Sequence, residues 1–214
     1  MAINVTNVRN VSQGIGNMSR AGSRASNSFS KVSDSLRDFN RVWKGGSYER
    51  VANSFDATVD DFNNLVSYIT VTVPDTINSS IAHMASINEV SYAAADIQTP
   101  KPITKVNAKN EEAMFMYDKA SFEQKQNEIM SAIKDTKQQF RSVVDEVNNG
   151  SFRSGFGDND STYAAIKQSV SSMVENVTRE IESFESSFNS ALTEISTREQ
   201  RGEQSSVQNI NTIK

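Results

Sequence analysis

Cysteine is absent from the 214-residue sequence, histidine and tryptophan occur once each, and there are only three prolines and nine glycines. Without thiols there is no disulfide framework, no cysteine-based zinc site and no thiol nucleophile, so stability rests on packing. This suits a cytosolic protein or one exported without oxidative folding. No apolar run approaches the roughly 20 residues that span a bilayer. The opening Met1-Ala2-Ile3-Asn4-Val5-Thr6 lacks the charged and apolar regions of a cleavable signal peptide, so export would depend on another machine.

The parts of a catalytic site are equally scarce. His83 stands between Ala82 and Met84 with no announced metal or triad partner and reads as a surface or seam-edge residue. Gly14-Ile15-Gly16 lacks the preceding strand and third glycine of a dinucleotide fingerprint and marks a flexible helix segment. The acid pairs Asp60-Asp61 and Glu111-Glu112 are adjacent on helices and therefore diverge into solvent. The expectation is a protein that is not an enzyme, with no catalytic residue, no cofactor and no metal.

Charge is uneven. Residues 1–50 hold eight Lys/Arg against three Asp/Glu, or +5, so residues 51–214 carry −9 of the total −4. The basic residues Arg9, Arg20, Arg24, Lys31, Arg37 and Arg41 are irregularly spaced and lack interleaved aromatics, which argues for a basic helix beside acidic ones and against nucleic-acid binding.

What the sequence has in plenty is helical periodicity. Val8, Val11, Ile15, Met18, Gly22, Ala25, Phe29, Val32, Leu36, Phe39 and Trp43 recur at steps of three and four, a heptad-like seam. Its glycine-rich start predicts fraying or ordering only against a partner. At Trp43-Lys44-Gly45-Gly46 a glycine in the left-handed conformation closes the helix. A second seam follows at once: Tyr48, Val51, Phe55, Val59, Phe62, Val66, Ile69 and Val73, antiparallel to the first because the turn is short. The run Thr70-Val71-Thr72-Val73-Pro74 predicts a kink or a break, with Asp75 near a new start, after which Ile77, Ile81, Met84 and Tyr92 resume the helix.

Residues 97–110, with Thr99-Pro100-Lys101-Pro102, carry no helical period and read as a linker. From Glu111 a third seam runs through Phe115, Phe122, Ile129, Ile133, Phe140, Val143 and Val147 to a stop at Asn148-Asn149-Gly150-Ser151. A loop leads to Asp160 or Ser161 as the cap of a fourth seam: Tyr163, Ile166, Val170, Val174, Val177, Ile181, Phe184, Phe188, Ala191 and Ile195. The second and fourth seams match at eight consecutive positions with an offset of 115, which suggests a duplicated hairpin. The expected fold is all-α: two tandem antiparallel helical hairpins in an elongated four-helix bundle or rod. Its parts are a hairpin with a flexible start (1–96), a linker (97–110), a degenerate hairpin (111–200) and a mobile polar tail (201–214).

Trp43-Lys44-Gly45 at the first turn, followed by Tyr92-Ala93-Ala94-Ala95-Asp96, makes the first half similar to the WXG family of early-secreted-antigen-like proteins of bacterial type VII secretion. The resemblance implies that Gly45 allows the reversal, that Trp43 covers the open end of the bundle and offers its ring to a partner, and that Tyr92 and Asp96, one helical turn apart, form an export patch. Family members are usually single hairpins that pair into an antiparallel four-helix bundle. This chain carries two, and its second turn offers Phe152, Gly155, Phe156 and Gly157 in place of the tryptophan.

The resemblance thus implies a secretion substrate or co-secreted adaptor whose partners are proteins, either the secretion apparatus or a hairpin, the second half serving as a built-in one. It leaves a homo-oligomer open and implies neither nucleic acid nor a membrane span. Such a protein is secreted without a cleavable signal peptide, or stands in the bacterial cytoplasm before export. The alternative is a structural subunit of a phage particle or surface assembly built through helical seams and located in the virion.

Overall fold

The computed structural model describes residues 5–87, 92–109, 119–157 and 160–212. Its elements are α1 (Val8–Phe39), α2 (Gly46–Ser67), a π turn (Tyr68–Thr72), α3 (Val73–Ile87), α4 (Lys119–Asn149), the single-turn α5 (Ser151–Ser154) and α6 (Ser161–Thr212). The fold is all-helical, and the long helices pack as a bundle. Among the described residues no helix is long and apolar enough to cross a membrane.

The heptad-like seams become the core. From Val11 to Trp43, Tyr48 to Val73 and Tyr163 to Ile195, every seam hydrophobe is buried, while Val8 lies at the rim. Phe115 lies outside the described residues. The close neighbours come from opposite halves of the chain. Along α1 and α4, Asn17 donates to Glu146 (3.0 Å) near one end and Lys125 pairs with Asp38 (3.3 Å) near the other, so these helices run antiparallel. Along α2 and α6, Arg50 meets Glu194 at 2.9 Å, and Phe55 packs edge-on against Phe184 at 5.5 Å, again antiparallel. Phe29 stacks on Phe62 at 4.5 Å and ties α1 to α2. The seams therefore lie side by side, which excludes an end-to-end rod.

Four readings of the sequence take definite form. First, α1 ends at Phe39, before Trp43, and Gly45 (φ 97°) precedes α2 as its N-cap residue instead of closing α1. Second, the kink or break expected around Pro74 takes the form of a π turn. Proline cannot donate to the residue-70 carbonyl, and the Val73 N–H reaches back to the Tyr68 carbonyl, so the helix widens by a residue and continues as α3. Gly22 of α1 lies opposite this bulge, where a Cβ would meet Ile69 and Thr70 side chains at 2.8 to 2.9 Å.

Third, the glycine-rich start is helical from Val8, with Gly14 and Gly16 buried, because α5 supplies the partner it needs. A Cβ on Gly14 would stand 2.4 Å from the Phe152 backbone, and one on Gly155 would stand 2.4 Å from a Val11 methyl. Glycine serves close approach here, not flexibility. Fourth, α6 runs on through the polar stretch from 201 and is helical to Thr212.

Candidate functional site

At the first turn, Trp43 is 1% exposed. Its ring meets Phe39 (5.9 Å), Tyr48 (5.5 Å) and, from α4, Phe122 (6.4 Å), and its indole N–H donates to the Ser47 hydroxyl at 3.1 Å. Trp43 thus covers the bundle end, but its face is spent on the second half of the same chain. Tyr48 donates to the Leu36 carbonyl at 2.9 Å, fastening the start of α2 to the end of α1. Burial, with a smaller contribution from Asp56, pushes its hydroxyl up to about 12, so it stays a neutral donor.

The second turn repeats this construction with other residues. Phe152 and Phe156 are buried and meet at 5.0 Å, and Phe156 stacks on Tyr163 at 5.5 Å. Tyr163 donates to the Val147 carbonyl at 2.9 Å, its hydroxyl raised by burial, and the Arg153 guanidinium lies 5.0 Å over its ring. Asp160 caps α6 by accepting from the Tyr163 N–H at 2.7 Å. The Gly155 carbonyl accepts from the N–H groups of Thr6 (2.9 Å) and Asn7 (3.1 Å), which clamps this turn to the start of α1. Gly157 follows, its carbonyl accepting from the Asp160 N–H at 3.4 Å.

Tyr92 and Asp96 fall elsewhere than expected. Residues 92–109 are non-helical, so a spacing of four no longer places the two on one face. The Tyr92 hydroxyl donates to Asn78 of α3 at 2.6 Å and lies 3.3 Å from the Ser12 hydroxyl of α1, while Asp96 is exposed. Trp43 and Asp96 are not brought together: one belongs to the turn, the other to the segment that follows α3.

That segment is the feature sequence reasoning missed. It is a strap laid along α1 and α2, and its backbone is read by side chains. Ser19 both accepts from the Gln98 N–H (2.8 Å) and donates to the Gln98 carbonyl (3.2 Å), and Ser23 donates to the same carbonyl at 3.1 Å. Ser26 donates to the Lys101 carbonyl at 3.4 Å and Ser33 to the Thr104 carbonyl at 3.1 Å. Arg37 donates to the Thr104 and Lys105 carbonyls at 3.0 and 3.1 Å.

From α2, the Asn63 amide grips Ile103 twice, accepting from its N–H and donating to its carbonyl, both at 2.9 Å. The Asp56 carboxylate accepts from the N–H groups of Val106 (2.6 Å) and Asn107 (2.8 Å), and Lys105 pairs with Asp60 at 2.6 Å.

The register follows from two rises. Ser12, Ser19, Ser26 and Ser33 recur every seven residues, roughly 10.5 Å along a helix, which is three residues of extended chain. Gln98, Lys101 and Thr104 are three apart, so each serine step meets one strap step. The seven-residue serine period was the available signal. It is hidden because a serine on a helix otherwise reads as solvated surface.

Among the described residues no group of three or more His, Cys, Asp or Glu is placed to hold a metal, and His83 is exposed on α3. Glu180 of α6 faces Asp61 of α2. Burial first, and the Asp61 charge second, raise the Glu180 carboxyl above the usual carboxylate range. No family model, no curated protein and no solved structure matches the chain.

Proposed function

We propose that the protein is a non-enzymatic, secretion-associated binding protein formed of two helical hairpins, α1 with α2–α3 and α4 with α6, whose second half is the built-in partner of the first. The observation that carries this reading is the inversion of the halves. The Trp43-Lys44-Gly45 turn meets the start of α4 through Phe122, and the Phe152–Gly157 turn meets the start of α1 through Thr6 and Asn7. Antiparallel pairing of two hairpins is what the resemblance to the WXG family implies, and the matched hydroxyl bonds of Tyr48 and Tyr163 support a duplicated origin. In this reading Trp43 and Gly45 fix the shape of the recognised end, and Tyr92 positions the exposed Asp96 as the acidic mark of a type VII substrate or adaptor.

Secretion of the tagged chain from its native host tests this, comparing wild type with Trp43→Ala, Trp43→Phe and Asp96→Ala. Export of wild type and Trp43→Phe, with loss in Asp96→Ala while the helical signal is unchanged, is expected. Retention of every form, or equal release on lysis, overturns it. The second reading, a structural subunit of a phage particle or surface assembly, is favoured by one observation: the Trp43 ring and the Tyr92 hydroxyl are both engaged inside the chain, as scaffold parts are. Sedimentation of the purified chain as a large defined oligomer would support it.

A further inference from the structure

The strap is bonded in a way the helical seams are not. Within 98–107 only Ile103, 6% exposed, is a buried hydrophobe, and Gln98, Thr99, Lys101, Pro102 and Thr104 face solvent. The rest of its hold is mostly side chains that contact its main chain, the serine ladder and Arg37 on one wall, Asn63 and Asp56 on the other, joined by a half-buried Val106 and the Lys105–Asp60 pair. Main-chain groups are common to all peptides, so this cleft recognises extended backbone and reads little sequence beyond an apolar residue at the Ile103 position. Emptied, the cleft would turn the hydroxyls of Ser19, Ser26 and Ser33 to water, which an extended chain able to bond them would displace.

A segment with one buried anchor and an exposed outer face opens at lower free energy than seams of buried aromatic and aliphatic side chains. We infer that the α1/α2 cleft is a binding groove for an extended peptide, occupied in cis by residues 98–107, and that a peptide of the same pattern supplied in trans takes the place of the strap once it is loosened. The trans occupant to which the contacts commit is the strap sequence itself, as a second copy of this chain would present it. Its requirements are an apolar residue at the position of Ile103, free N–H groups at the positions of Gln98, Ile103, Val106 and Asn107, and prolines only at positions such as 100 and 102, where no N–H is used.

The test uses the full chain and a fluorescent synthetic peptide of residues 96–109. Ile103→Asp removes the strap's anchor while leaving the groove intact. Fluorescence anisotropy should show the peptide binding Ile103→Asp at least about tenfold more tightly than wild type. Adding Asn63→Leu to Ile103→Asp should weaken that binding about tenfold, the effect of losing a buried two-point contact. In wild type, hydrogen exchange should release the Gln98, Ile103, Val106 and Asn107 amides well before those of the α1 seam. Absence of binding to a helical Ile103→Asp overturns the inference, as does binding indifferent to Asn63→Leu. Loss of the helical signal in Ile103→Asp, or strap amides that exchange only with the α1 seam, also overturns it, because the strap would then be an inseparable part of the bundle.

Discussion

The two ends of the bundle perform one task with different residues. At the first, a single tryptophan packs over Phe39, Tyr48 and Phe122; at the second, Phe152 and Phe156 share that volume above Tyr163. In both, a tyrosine at the start of one long helix donates to a carbonyl near the end of the long helix before it, α1 for Tyr48 and α4 for Tyr163. The ends differ in how the other half closes them. The first is closed by an aromatic side chain, Phe122, and the second by backbone approach, which is why glycine at 14 and 155 serves close contact, whereas Gly45 near Trp43 serves a positive φ. Covering a turn constrains volume, whereas closing it constrains the distance between backbones. The second end demands glycine for space between backbones, and the first for the backbone conformation of Gly45.

The comparison can be broken at either end. Trp43→Ala should cost the most, about 4 kcal/mol, because it empties a fully covered site bordered by three rings. Chemical denaturation would show it, and Trp43→Phe should recover more than half of the loss. Gly14→Val should cost about 3 kcal/mol by driving a side chain into the Phe152 backbone, whereas the same change at Gly46, which has open space around its Cβ position, should cost about 1 kcal/mol or less.

Tyr48→Phe and Tyr163→Phe should each cost about 1 kcal/mol. Being at opposite ends, their losses should add within about 0.5 kcal/mol in the double variant. The smallest effect belongs to Glu180. Its folded-state carboxyl is raised, so its contribution to stability is fullest below the ordinary glutamate range and is lost as pH rises through the raised value. Glu180→Gln should therefore raise the melting temperature at neutral pH by about 2 °C and flatten its fall between acid and neutral pH. A variant that melts lower at neutral pH would remove the proposed strain from the Asp61–Glu180 contact.

Much of this architecture was legible because it depends on period. The steps of three and four picked out the core side chains of the four long helices, and Gly150 and Asp160 marked the ends around the second turn correctly. What stayed hidden depends on partners remote in sequence. Gly14 reads as a weak helix residue until Phe152 is known to lie against it. The serines of α1 read as a polar face until an extended chain is laid along them, and Tyr92 reads as helical because its spacing from Met84 fits a helix that ends at Ile87. For the candidate site, Trp43 and Gly45 were found at the turn, but the burial of the ring by Phe122 comes from a helix whose register no local pattern announces.

The pairing of inverted halves is the claim on which the rest depends, and the absence of cysteine makes it directly testable. Asn17→Cys with Glu146→Cys, and separately Arg50→Cys with Glu194→Cys, replace contacts of 3.0 and 2.9 Å across the two interfaces between the halves. These contacts join side-chain tips, whereas a disulfide needs Cα atoms within about 7 Å. A flexible, reducible crosslinker reactive toward two thiols, used at low protein concentration, should therefore bridge each pair within one chain, giving faster-migrating monomers that revert on reduction. Pairs that remain open in the folded protein, or that crosslink only between chains, would contradict the account.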